Sequence, residues 1–155
     1  MKFQIDREYL LDSFRRVVEV PSPVGYYVKL NPVLAEMAAE LGYTVTYDNK
    51  STAYITLDGE DNSKTVLVGA HADTLGLVVR GIDANGWLRV RRVGGLCMPS
   101  VEGETVTVHT RDGREYTGLM ICSAHSVHVF EDARTLERTE DTMVVLLDED
   151  VHSEQ

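Results

Sequence analysis

The sequence has little of what marks exported, membrane-embedded or nucleic-acid-binding proteins. Its 155 residues include two cysteines, Cys97 and Cys122, too few for a disulfide framework and in keeping with a reducing cytosol. No apolar run comes near the roughly 18 residues of a membrane span. Met1 to Ile5 lacks the apolar stretch of a secretory leader, so export finds no support and a cytoplasmic location is expected. Basic residues are scarce: 15 Lys and Arg stand against 25 Asp and Glu, for a net charge of −10. That balance argues against phosphate-backbone binding, and aromatic residues, at 7%, offer few stacking platforms for bases.

Several catalytic signatures are missing too. There is no Gly-x-Ser-x-Gly elbow and no Walker-type phosphate loop. Gly94-Gly95 follows a strand-like segment but lacks the lysine and the downstream helix that phosphate binding requires. Neither cysteine sits in a nucleophile context, and both read as buried, inert thiols. Nowhere are two glutamates adjacent.

What is present is a chain with 43% apolar residues, enough for one compact domain or two small pieces, and too many for disorder. The charge is uneven: residues 131–155 carry nine acidic residues and two arginines, read as a solvated surface. Arg80, Arg89, Arg91 and Arg92 fall on alternating segments and read as the solvent face of a strand pair. No repeat or low-complexity linker interrupts the chain.

Two periodicities divide it. Up to Gly42 the pattern is helical. Asp6 caps a helix whose Leu10, Phe14, Val17 and Val18 recur at helical spacing, and Pro21-Ser22-Pro23 stops it. A second helix is predicted to begin near Asn31-Pro32, with Leu34, Met37, Ala38 and Leu41 as its stripe and Gly42 as a left-handed stop. Beyond Gly42 the period becomes two. Residues 43–47 and 53–57 read as a hairpin. Thr65 to Ala70 (TVLVGA) is a continuous apolar run, expected as a central strand buried on both faces. Leu77 to Ile82 and Trp87 to Val93 flank Asn85-Gly86, and residues 104–110 and 115–122 flank Asp112-Gly113, both strong hairpin signals. Met143 to Leu147 is a last short strand. The order predicts an α/β layer followed by a small all-β barrel, with the seam just after His71.

The chemistry-bearing feature is His71-Ala72-Asp73. It directly follows the predicted buried strand, where open α/β sheets place their sites. A histidine there can bind a metal through one ring nitrogen while a carboxylate holds the other N–H. A loop histidine capped by a carboxylate is the plainer alternative. A catalytic zinc needs about three protein ligands, and the other histidines do not complete a set. His109 reads as a cross-strand packing residue. His125 and His128 read as loop residues with no suitably spaced partner. The metal site is therefore incomplete in this sequence.

These residues also carry a resemblance. Residues 66–95, VLVGAHADTLGLVVRGIDANGWLRVRRVGG, together with PSPVGY near the start, GETVTVHT and REYTGLM, resemble the metal-dependent aminopeptidase family of glutamyl, deblocking and tetrahedral (TET) aminopeptidases. The agreement runs in order over essentially the whole chain. The resemblance implies that His71 ligates one of two divalent ions, zinc or cobalt, and that Asp73, a catalytic-site residue, orients the imidazole. It implies peptides with a free N-terminus as substrate and a homo-oligomer; the charge balance and the lack of long apolar runs already argue against a nucleic-acid or membrane partner. The implied fold is a zinc-exopeptidase-like α/β sandwich (residues 1–74) interrupted by an inserted PDZ-like β-barrel for assembly (75–142), with residues 143–155 returning to the peptidase part.

The sequence also departs from the family. Its bridging aspartate, further carboxylates, second histidine and Glu-Glu pair match nothing here, so the chain alone is expected to be inactive and to bind no metal stoichiometrically. Thr74 stands where many relatives carry an acidic residue, and SAHSVHVF aligns loosely. The alternative reading is a non-catalytic β-barrel for protein interaction and oligomerisation. Under either reading, an apolar edge left in the α/β part favours self-association.

Overall fold

The structure, a computed structural model, describes residues 4–150. The chain divides into two compact units, one up to Leu75 and one from Gly76.

The first unit opens with helix α1 (Arg7–Val18). Its first turn is capped as expected: Asp6 is extended, and its carboxylate accepts from the Tyr9 amide at 3.0 Å, satisfying a donor with no partner in the helix. Helix α2 (Leu30–Glu40) begins slightly earlier than predicted, after Lys29, and Pro32 still falls in its first turn. Gly42 takes the left-handed conformation after it, at φ +80°. A bidentate pair joins the helices, with Arg16 donating to both oxygens of Glu40 at 2.8 and 2.9 Å. The apolar stripe of α1, Leu10, Phe14 and Val18, is exposed.

Strands β1 (Val45–Tyr47) and β2 (Ala53–Ile55) pair antiparallel, as the sequence predicts. Asp48 shapes their turn: its carboxylate accepts from the Lys50 and Thr52 amides at 2.8 and 2.9 Å. The Thr52 amide, then that of Lys50, lowers the Asp48 pKa.

The expected buried strand at Thr65–Ala70 is not formed. The segment pairs with no strand among the described residues, and Val66 and Val68 are 87% and 90% exposed. A strand buried on both faces needs neighbours at both edges and layers above and below. Among its described residues the first unit has only the short β1–β2 sheet and two helices, and these supply neither.

The second unit is a five-stranded antiparallel sheet in the order β3-β4-β7-β6-β5. Its strands are β3 (Gly76–Ile82), β4 (Leu88–Val93), β5 (Thr105–His109), β6 (Glu115–Cys122) and β7 (Met143–Leu147). Both predicted hairpins are present, with Gly86 and Gly113 at φ +81° and +85°. A short 3-10 turn (Met98–Val101) precedes β5.

Met143–Leu147, expected as the start of a return to the peptidase part, forms β7 within this sheet. β7 lies between β4 and β6, matching Leu88 to Val145 on one side and Cys122 to Met143 on the other. Met143, Val144 and Val145 are all buried, so this uninterrupted apolar run is the central strand. The core gathers Leu88, Val90, Met98, Met120, Met143 and Val145 on one face, with Leu77, Val106, Val108 and Leu147 packed around them.

Candidate functional site

The His-x-Asp motif lies in the first unit, between residue 70 and Leu75, in a segment that is neither helix nor strand apart from an isolated bridge at Thr74. His71 and Asp73 converge there, with Nδ1 3.3 Å from Asp73 Oδ1. The imidazole is 84% exposed and the carboxylate about half as much. A neutral imidazole donating Nδ1–H to a carboxylate keeps its lone pair on Nε2, the form that can ligate a metal.

The segment is held by Ser22, which the sequence reading treated only as part of a helix stop. Ser22 is fully buried. Its hydroxyl donates to the Ala72 carbonyl at 2.9 Å, and its amide donates to Thr74 Oγ1 at 3.3 Å. The Thr74 amide donates back to the Ser22 carbonyl at 3.1 Å, and Pro23 and Thr74 form an isolated parallel bridge. The available signal was the PSP string itself: a serine between two prolines keeps its N–H donor where both neighbours lack one.

The other candidates are not brought together. No group of three or more His, Cys, Asp or Glu side chains suited to a metal occurs among the described residues. His71 with Asp73 fits one ligand position of a metal site and does not amount to a site. His109 packs across β5 and β6, its Nδ1 3.3 Å from Glu115. His125 lies against aromatic rings, edge-on to Trp87 at 6.1 Å and tilted against Phe130 at 5.7 Å. Both cysteines are free thiols; Cys122 is buried as expected, whereas Cys97 is exposed, against the expectation.

Arg80, Arg89, Arg91 and Arg92 of the second unit are taken up by acidic partners. Glu140 accepts from Arg91 at 2.7 Å and from the Arg92 side chain and amide at 2.8 and 3.0 Å. The Arg91 and then Arg92 side-chain bonds, followed by the Arg92 amide, bring the Glu140 carboxyl down to about 2. Arg80 pairs with Asp141 and Arg89 with Asp83. Part of the acidic 131–155 segment thus neutralises this strand face, and the arginines do not form an open anion patch.

With these elements in place, the fold is that of the TET aminopeptidases. A TET aminopeptidase from the marine sediment archaeon Thaumarchaeota archaeon SCGC AB-539-E09 matches with a TM-score of 0.78 and 18% identity, over 93% of this chain and 40% of that one. The Pyrococcus horikoshii TET1 peptidase, described as able to assemble into a tetrahedron or a large octahedral shell, matches with a TM-score of 0.73 and 20% identity, over 91% and 41%. The chain belongs to the M42 glutamyl aminopeptidase family, whose pattern matches residues 51–155. "Putative aminopeptidase YhfE" of Bacillus subtilis (strain 168) is 34% identical over 142 residues, which are 92% of this chain and 41% of the relative. The chain therefore spans about two fifths of the relatives it matches.

No helix among the described residues is long and apolar enough to cross a membrane.

Proposed function

We propose that this chain supplies the His71–Asp73 portion of a cytosolic two-metal aminopeptidase that removes N-terminal residues from short peptides. The observation that carries the reading is the approach of His71 Nδ1 to Asp73 within 3.3 Å, in a chain of the M42 family. In that role Asp73 holds the proton on Nδ1, and Nε2 is the donor atom toward one of two divalent ions, zinc or cobalt. Bound ions of this kind activate water and polarise a carbonyl. Under this reading the remaining ligands and the general base lie outside this chain, which alone has no peptidase activity and no stoichiometric metal; that no group of three or more His, Cys, Asp or Glu suited to a metal occurs among the described residues supports it.

The second unit, under this reading, is the inserted PDZ-like domain, and the intact protein is a homo-oligomer. Support comes from its self-contained core and from the assemblies described for the Pyrococcus horikoshii relative. The same core supports the second reading, a non-catalytic interaction module.

Sequencing the coding DNA past the Gln155 codon separates the two. An open frame with a further aspartate, a Glu-Glu pair and a late histidine supports the peptidase. An immediate stop codon contradicts it and leaves the interaction module.

A further inference from the structure

We propose that Ser22 is a positioning residue for the His71–Asp73 pair, fixing the backbone that aims the carboxylate at the imidazole. Its functional meaning rests on the site reading above.

The argument starts from which groups Ser22 binds. Its hydroxyl holds the Ala72 carbonyl, and its own carbonyl holds the Thr74 amide. Those two groups belong to the two peptide planes on either side of the Asp73 α-carbon. Peptide units are planar, so pinning both planes sets the only two soft backbone angles of Asp73. The third bond, from the Ser22 amide to Thr74 Oγ1, ties down the next side chain along. With the backbone of Asp73 so fixed, its carboxylate stands 3.3 Å from Nδ1 of His71, two residues back.

A serine that merely filled space would not need this arrangement. Ser22 is the one buried polar residue among those described, at 0% exposure, and its hydroxyl is spent on the motif backbone. Pro21 and Pro23 stiffen the chain around it, since proline fixes φ near about −65°. Thr74 completes the contact with a hydroxyl acceptor.

The test reads the neutral tautomer of His71 from its ring nitrogen shifts by NMR, on the full chain at alkaline pH. In the unsubstituted protein the Nδ1–H form dominates, and Asp73→Ala gives the unsupported ratio. Ser22→Ala is expected to lower the Nδ1–H to Nε2–H ratio about five-fold, the scale of one neutral hydrogen bond, while a cooperative melting transition is kept. Thr74→Val, at a less buried position, should move the ratio the same way by less, and Thr74→Ser should leave it unchanged. Should Ser22→Ala not fold, Thr74→Val carries the test. An unchanged ratio in Ser22→Ala, or in Thr74→Val where it stands in, beside a lowered one in Asp73→Ala overturns the positioning role alone. An unchanged ratio in Asp73→Ala overturns the site reading and the positioning role together.

Discussion

Gly118 and Leu146 lie so close across the β6–β7 ladder that no side chain fits between them. A β-carbon on Gly118 would meet the Leu146 carbonyl oxygen at 2.8 Å, and Val145 Cγ1 at the same distance. Backbone cannot yield as a flexible side chain would, so the central strand depends on glycine here. Gly118→Ala is expected to destabilise the second unit by about 1–3 kcal/mol, the usual cost of overpacking. Urea unfolding followed through Trp87 would measure it, and an unchanged midpoint would count against the close approach.

Met143 and Leu67 make a matched contrast. Both lie in uninterrupted apolar runs, but Met143 is fully buried in the core and Leu67 is largely exposed. Met143→Ala should cost about 2–5 kcal/mol through the cavity it leaves. Leu67→Ala should stay within about 0.5 kcal/mol in the same chain. Equal losses would mean that the 65–70 segment is buried after all.

Those two runs show where the sequence was legible and where it was not. TVLVGA and MVVLL give the same signal, continuous apolar residues of strand length. MVVLL became a central strand because β4 and β6 flank it. TVLVGA did not, because no strand among the described residues lies beside it. Periodicity reports what a segment can bury and not whether neighbours are present. Asn85-Gly86 and Asp112-Gly113 needed no distant partner, and both hairpins formed where predicted. At the site, the two-residue spacing of His71 and Asp73 was legible in the sequence. The grip of Ser22 on Ala72 and Thr74 joins positions about fifty residues apart, and no local pattern encodes it.

Glu140 makes the second unit sensitive to acid. Its carboxyl is lowered from 4.5 to about 2 by Arg91 and Arg92. A group with a depressed folded-state value binds fewer protons folded than unfolded, so its stabilisation is complete above pH 4.5 and is lost as pH falls toward 2. The melting temperature of Glu140→Gln should lie below that of the unsubstituted chain at neutral pH. The gap should narrow between pH 4.5 and 2. A gap that is constant across this window would show that the Glu140 charge is not its source.

The cap on α1 predicts a smaller effect. The Asp6 carboxylate accepts from the Tyr9 amide, so Asp6→Ala should cost about 1 kcal/mol, and Asp6→Asn much less, because an amide oxygen also caps. Helical signal by circular dichroism across a thermal melt would check the order of the two.

We propose that His71, oriented by Asp73, works in an aminopeptidase. The most direct test is release of the N-terminal residue from a short peptide with a free N-terminus, by the product of the complete open reading frame and by the 155-residue chain. The complete product should be active and should lose activity on N-terminally blocked peptide. It should fall by about 100-fold or more in His71→Ala and by about 10–100-fold in Asp73→Ala. The 155-residue chain should show none. Full activity in His71→Ala, or turnover by the 155-residue chain alone, would contradict the account.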